Sequence, residues 1–479
     1  MLHTAYRRSP AAHFSCTFPL SLRSAATALA TAFATTLATA ITAAITTVTV
    51  AGVVTPASAS AQTVEEIRDG IHHAATTPGG DPVHDYDAFY DDPVPADQLD
   101  RPGKILRTQP APHLLNILGP DFYGHAKRIL YTSTTVHGDI VPVSGVIMEP
   151  ANPWRGKGPR PTVVFGPGTR GIGDACAPSR GTWMMGQINL QTGSLGTNYE
   201  LPSYHAAALL GMRVVVTDYI GLGTPGAHTY MLHEEEGHAM LDAARAALPN
   251  GGPVGFWGYS QGGGAAASAA EQAASYAPEL DVKGTFAGAP PADLLKSMHG
   301  VDDSTISAVM GYALNGWQDR YPGLKESLAP MFTDRGREFL ASTADACIAD
   351  SAVRWGLRDS RAFTASGQKL SEAVTTNPEM STLIDAQKLG RTSPSSPIMI
   401  STAGNDDVVP SDQVAQLARD HCSLGADVTF YDSALPPLTP GIKTAVNHGV
   451  GIYSHLAPSM KWMADRFDGV PTQSNCGAF

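Results

Sequence analysis

The sequence has no run of Lys or Arg longer than a pair, and its 32 basic residues are outnumbered by 44 acidic ones, for a formal charge of -12. Without a basic patch there is little to grip a phosphate backbone, which excludes nucleic acid as the default partner and argues against an anionic membrane surface. No repeat is present either. The 48 Gly and 36 Pro fall along the chain without a period, so collagen, coiled coil and low-complexity scaffold are excluded. Cysteine is scarce, five in 479 residues, with no Cys-x-x-Cys and no Cys/His ligand spacing; no metal is indicated and no cofactor is expected. What is there is a chain 43% apolar and only 16% charged, longer than an average domain yet compatible with one large α/β domain carrying insertions.

The first sixty residues differ from the rest. Arg7, Arg8 and Arg23 precede or open an Ala/Thr/Val stretch at 24–54, which ends in Ala59-Ser60-Ala61 before Gln62. This reads as a secretory signal, residues 1–61, with cleavage after Ala61. The stretch is long and rich in threonine, so a retained anchor at the cell envelope and a start codon placed too early stay open. The Arg7-Arg8 pair lacks the apolar run that should directly follow a twin-arginine signal. Cys16 leaves with the segment, while Cys176, Cys347, Cys422 and Cys476 remain. An even number in an exported chain implies two disulfides, with three pairings open.

Residues 62–103 are acidic and rich in Asp, Pro and Tyr, an arm with one helical stretch near 64–73. Short β-branched runs then recur at 128–134, 141–148, 162–165, 213–217, 254–257, 282–287, 397–402 and 428–431, with Ala-rich helical segments at 204–210, 236–248 and 264–277. Strands alternating with helices predict an α/β fold: a mostly parallel sheet with helices on both faces, opening on an antiparallel hairpin. Residues 291–389 break that rhythm, with helical periodicity at 306–314, 337–345 and 371–383 and no convincing strand. They are expected to form a helical cap, or lid, inserted between two strands and dividing the core into 104–290 and 390–479.

Gly258-Tyr259-Ser260-Gln261-Gly262 follows the apolar run 254–257 and opens the small-residue helix. That is the strand, turn and helix context a nucleophilic serine needs, since glycines on either side let strand and helix approach closely. The new helix N-terminus aims backbone N–H groups at a developing oxyanion, Gln261 N–H first. The base and its orienter should follow in the order acid, then His, each after a later strand. The strand 397–402 runs into Asn405-Asp406-Asp407, so Asp406 or Asp407 is the candidate acid. Of the later histidines, His299 falls at the start of the cap, His421 precedes the last strand, and His455 sits inside a helix predicted over 453–467. His448, read as part of a loop after the last strand, is placed to take the proton.

Two glycine-rich stretches imitate a dinucleotide loop. Gly221-Leu222-Gly223-Thr224-Pro225-Gly226 does not open a helix, and Gly166-Pro167-Gly168-Thr169-Arg170-Gly171 has no acidic strand end at the needed distance. The second has a better use as the loop that supplies another oxyanion N–H, from Thr169 or Arg170. His233 and His238 are five apart, which is not zincin spacing.

At these residues the chain resembles the secretory lipase family of fungi and actinobacteria, which includes the fungal A-type lipases. The matching pieces are Phe89-Tyr90, Pro102-Gly103, Gly168-Thr169, Cys176-Ala177-Pro178-Ser179, Asp218-Tyr219-Ile220-Gly221-Leu222-Gly223 with His228-Thr229-Tyr230, Gly258 to Gly262, Asp406 to Pro410, and Asn447-His448 with the tail Arg466 to Pro471 and Cys476. The resemblance implies an α/β-hydrolase core with a helical lid. It selects Asp406 over Asp407, because the family's acid stands four residues before the proline, and it supports His448. The stretch before Cys176 departs from the fungal pattern, so Asp174 is only a weak oxyanion candidate. The function expected is a secreted serine ester hydrolase, a lipase or esterase, acting on a small-molecule or lipid ester through Ser260, His448 and Asp406, with the cap in transient contact with a lipid interface. An acyltransferase with the same triad, or a non-catalytic binding protein on the scaffold, are the alternatives. Cys176 is expected to pair with Cys347, tying the cap to the oxyanion loop, and Cys422 with Cys476, pinning the tail.

Overall fold

The structure, a computed structural model, describes residues 87–111, 124–181, 186–188, 194–433 and 435–479. The expected signal segment, Cys16, the helical stretch at 64–73 and the arm up to residue 86 lie outside them.

Among the described residues a nine-stranded sheet runs in the order β1-β2-β3-β7-β4-β8-β9-β10-β11. Its strands are β1 Ile105–Pro110, β2 Gly124–Thr134, β3 Ile140–Pro150, β4 Thr162–Gly166, β7 Arg213–Thr217, β8 Pro253–Tyr259, β9 Asp281–Gly288, β10 Ile398–Ala403 and β11 Val428–Ser433. The first four in this order, β1, β2, β3 and β7, pair antiparallel, and from β7 to β11 every pairing is parallel. A separate two-stranded ribbon joins β5 Gly186–Ile188 to β6 Leu195–Thr197. Neither β1 nor the ribbon is expected from the sequence. β1 reads Ile-Leu-Arg-Thr-Gln-Pro and grows more exposed toward its end, as an edge strand that no alternating pattern announces.

The central strands are covered on both faces, which explains their continuous apolar character. In β4, Val163 and Phe165 belong to one core cluster and Val164 to the other; in β7, Val214 and Val216 face one way and Val215 the other. This is the period of two that a pleated strand imposes. Helices α3 His233–Ala247 and α4 Gln261–Tyr276 bring Ala239, Ala243, Ala265 and Ala269 against the Val164 face. Helices α2 Leu201–Leu209 and α13 Val446–Phe467 bring Tyr204, Ile452 and Met463 to the opposite cluster. The arm's end is a short helix, α1 Ala88–Asp91, whose buried Tyr90 lies under the guanidinium groups of Arg180 and Arg128 and bonds Ser179 Oγ at 3.0 Å.

Between β9 and its parallel neighbour β10 the chain forms α5 Leu294–Val301, α6 Val309–Arg320, α7 Gly323–Leu328, α8 Asp334–Thr343, α9 Ile348–Trp355, α10 Leu370–Ala373 and α11 Pro378–Ala386, with no strand. The helix expected over 371–383 is broken. Asn377 caps α11 by accepting the Met380 N–H, and Pro378 occupies the first helical turn, a combination that starts helices and cannot continue them. The segment has a small core of its own, with Phe339 stacked on Phe363 at 4.6 Å and Trp355 edge-on to both. Disulfides join Cys176 to Cys347, from the turn after the Gly166–Gly171 stretch to the start of α9, and Cys422 to Cys476, from α12 Ser411–Ser423 to the tail.

Candidate active site

Ser260 stands between β8 and α4 with φ +61° and ψ -124°, a region that costs a non-glycine residue energy and is held only by its surroundings. The surroundings are tight. A Cβ on Gly258 would lie 1.9 Å from the Gly262 carbonyl oxygen, and one on Gly262 would lie 1.8 Å from that of Gly166. The Ser260 N–H donates to Gly288 O at 2.9 Å and its carbonyl accepts from Gly264 N–H at 3.0 Å, so the turn is bonded on both sides.

Asp406 follows β10. Its Oδ1 accepts from the N–H groups of Val408 at 2.9 Å and Val409 at 2.8 Å, and its Oδ2 lies 2.7 Å from His448 Nδ1. Asp407 does something else: its Oδ1 accepts from the His448 backbone N–H at 3.0 Å and its Oδ2 from Thr444 Oγ1 at 3.4 Å. One acid therefore holds the imidazole and its neighbour holds the backbone that carries it. His448 is not in a loop, as the sequence implies. It lies in the first turn of α13, which starts at Val446 after Ala445 at φ +62°. Gly449 and Gly451 weaken the helical signal there. Tyr259, beside the serine, donates its hydroxyl to His448 O at 2.9 Å, with the rings 5.1 Å apart.

The other histidines are otherwise engaged. His455 is buried, its Nε2 3.1 Å from Thr402 O, and burial pushes its pKa down to about 4. His421 pairs with Glu271 at 2.8 Å between α12 and α4. His299 lies in the last turn of α5, where its carbonyl accepts from Lys443 Nζ at 3.0 Å. His233 and His238 bond carbonyl oxygens of Gln387 and Thr134. Among the described residues no His, Cys, Asp and Glu cluster is suited to a metal.

The opposite side of the turn is built from polar groups that no local pattern joins. The Gln261 N–H is among the first donors of α4, for which the helix holds no acceptor. Its side-chain Nε2 donates to Glu236 Oε1 at 2.8 Å and lies 3.0 Å from His228 Nε2. His228 Nδ1 is 3.1 Å from Ile220 O, and burial lowers its pKa to about 4; the neutral ring thus donates from Nδ1 and accepts at Nε2. Glu236 also accepts the Met231 N–H on Oε1 at 3.0 Å, while its buried Oε2 has no partner, and burial pushes its pKa up to about 8. Of the two loop candidates, Thr169 lines the cleft with Ser260 and Arg170 does not. The Arg170 guanidinium is buried against Asn198, Glu200 and the Thr197 carbonyl. Asp174 turns to the Gly221–Gly226 stretch, accepting the Gly223 N–H at 2.9 Å.

The cleft is apolar. Ser260, Thr169 and Tyr230 line it together with Val408 and Val409 of the loop after β10, and Met298, Val309, Met310, Leu314 and Trp317 of the inserted helices supply much of the rest. His228 and Tyr230 lie in one of the family-like pieces, but the sequence gives neither of them nor Glu236 a role; the three glutamates 234–236 lie in the first turn of α3.

Comparison with known proteins agrees with this architecture. Residues 186–475 match the family described as "Secretory lipase". The chain is 27% identical over 402 residues to "Probable inactive lipase MT1628" of Mycobacterium tuberculosis, covering 82% of this chain and 83% of that protein. It is 23% identical over 404 residues to "Lipase A" of Arthroderma benhamiae, covering 81% of each. Candida antarctica lipase A in its closed state superposes with a TM-score of 0.67 at 18% identity, covering 82% of this chain and 88% of that one, and so shares the α/β-hydrolase fold. Two disulfides fit an extracellular protein, and among the described residues no helix is long and apolar enough to cross a membrane. The chain belongs to the secretory lipase family.

Proposed function

We propose that this chain is a secreted carboxylic-ester hydrolase that acts on lipid esters through an acyl-enzyme on Ser260. The observation that carries the reading is the Asp406–His448 pair, from the loop after β10 and the first turn of α13, beside a strained serine at the wall of an apolar cleft. His448 donates from Nδ1 to Asp406, which leaves Nε2 as the base. To the hydrogen bonds present the reading adds one from Ser260 Oγ to that nitrogen, a bond that in such sites tightens on substrate binding. Ser260 Oγ attacks the ester carbonyl while His448 takes its proton. The tetrahedral oxyanion accepts from Gln261 N–H and from the Thr169 N–H of the facing loop. On collapse the C–O bond breaks, His448 returns the proton to the departing alcohol, and water repeats the sequence to release the acid.

The cleft supports a lipid-ester substrate. Its wall of Met, Val, Leu and Trp side chains matches an acyl chain, each buried CH₂ contributing about 0.8 kcal/mol. The test is hydrolysis of p-nitrophenyl esters of graded length. We expect kcat/KM to rise from acetyl to at least octanoyl; acetyl hydrolysed fastest would remove the cleft from the acyl site. No hydrolysis of any ester, in a protein that still binds them, would make the chain a binding protein on a hydrolase scaffold.

A further inference from the structure

We infer that the oxyanion receives a third donor, the Thr169 hydroxyl, and that Tyr230 is the positioning residue that turns this hydroxyl toward it. The inference rests on the serine-hydrolase reading. Thr169 Oγ1 and the Tyr230 hydroxyl are 2.7 Å apart, both residues are buried, and both line the cleft beside Ser260. In a pair of hydroxyls one donates and the other accepts. A phenol is the stronger acid and donor, an aliphatic hydroxyl the better acceptor, so Tyr230 donates and Thr169 keeps a hydrogen for another acceptor. The cleft offers few. Apart from Ser260, the remaining hydroxyl on its wall is Ser297, which is already engaged by Asp293 O at 3.1 Å and by Gln413. A carbonyl oxygen of a substrate attacked by Ser260 is the acceptor that the Thr169 hydrogen lacks.

Tyr230 is held as a positioning group must be. Its carbonyl accepts from Trp317 Nε1 at 2.9 Å, from α6. The next residue, Met231, sits at φ +65° with its N–H on Glu236. Two residues earlier, His228 bonds the Gln261 side chain. From the far side the Tyr199 hydroxyl donates to Thr169 O at 2.9 Å. One short segment, 228–231, thereby touches the residues on both walls of the oxyanion site, Gln261 through His228 and Thr169 through Tyr230. Burial also pushes the Tyr230 phenol well up, which keeps its proton in place.

The experiment is a double-mutant cycle with labelling by a fluorophosphonate as its gate. Wild type should label at Ser260 and S260A should not; if wild type does not label there, the hydrolase reading and this inference fall together. Given labelling, Thr169→Val should lower kcat about 10²-fold, the usual loss for an oxyanion donor, with KM little changed, and Thr169→Ser should recover most of it. Tyr230→Phe, which leaves the ring and its packing, should lower kcat by about 10-fold or more, since the hydroxyl rotor is no longer fixed. In the Thr169→Val background the same change should do nothing. Wild-type kcat in Tyr230→Phe, a loss carried by KM, or losses that multiply in the double variant would overturn the inference while leaving the labelled serine in place.

Discussion

Two buried carboxyl groups flank the serine turn, and they are treated differently. Asp406 has donors on both oxygens: two backbone N–H groups on Oδ1 and an imidazole on Oδ2. Glu236 has two donors on Oε1 and none on Oε2. Both side chains are buried, and what differs is how many donors reach them. In the proposed mechanism Asp406 is the orienter of His448, and its two oxygens are fully engaged for that task. The side proposed to hold the oxyanion carries groups that burial drives toward their neutral forms, Glu236 raised to about 8 and His228 lowered to about 4. A fixed negative charge there would oppose the oxyanion that the proposed mechanism creates.

The largest losses are expected at Ser260 and His448. Ser260→Ala and His448→Ala should each lower kcat by about 10⁴-fold or more with the melting temperature little changed, whereas His455→Ala should leave the chemistry intact. Full activity in His448→Ala, with loss in His455→Ala, would move the base. Next comes the acid: Asp406→Asn should cost about 10³–10⁴ in kcat, because the imidazole loses its orienting charge. Asp407→Asn keeps an acceptor for the His448 N–H and should cost less than about tenfold. Equal losses would mean that the two carboxyls share the task. Smaller again is Trp317→Ala, which removes an acyl-cleft wall and the donor to Tyr230 O together. Its kcat/KM loss should be about tenfold greater for octanoyl than for acetyl esters, read from the same chromogenic series; a uniform loss would assign Trp317 to the oxyanion side alone.

The two sides were also unequally legible. Ser260, Asp406 and His448 sit at ends of elements, and β4, β7 and β8 announce themselves because strands buried on both faces are continuous in Val, Phe and Trp. The family's spacing to Pro410 then separates Asp406 from Asp407, whose sequence environments are alike. On the other side the sequence points to Gln261 and Thr169 but not to the groups that hold them. Gln261 meets Glu236 across 25 residues and His228 across 33, and Thr169 meets Tyr230 across 61, joined only by the packing of α3, α4 and two loops. His448 lies in a helix whose glycines hide it. Asn377-Pro378, by contrast, is a plain helix start that hydrophobic periodicity over 371–383 overrides in the sequence and does not override in the fold.

The smallest effect tests whether the oxyanion side is kept neutral at all. A carboxyl whose value is near 4.5 in the unfolded chain and about 8 when folded holds its proton in both states below pH 4.5, and makes no difference to stability there. As pH rises from there the unfolded chain gives up the proton and the folded one keeps it, so stability falls until about pH 8 and is constant above, by up to about 5 kcal/mol at 1.36 kcal/mol per pH unit. Gln is the neutral isostere: its Oε1 still accepts from Gln261 and Met231, and its amide takes the place of the protonated oxygen. Glu236→Gln should therefore melt close to wild type at pH 5 and above it at pH 9, the gap widening with pH. Thermal unfolding of both proteins at several pH values measures it directly. A gap that is constant with pH, or one that favours wild type at pH 9, would mean that Glu236 carries its charge in the folded protein, and the contrast with Asp406 would then lie in geometry alone.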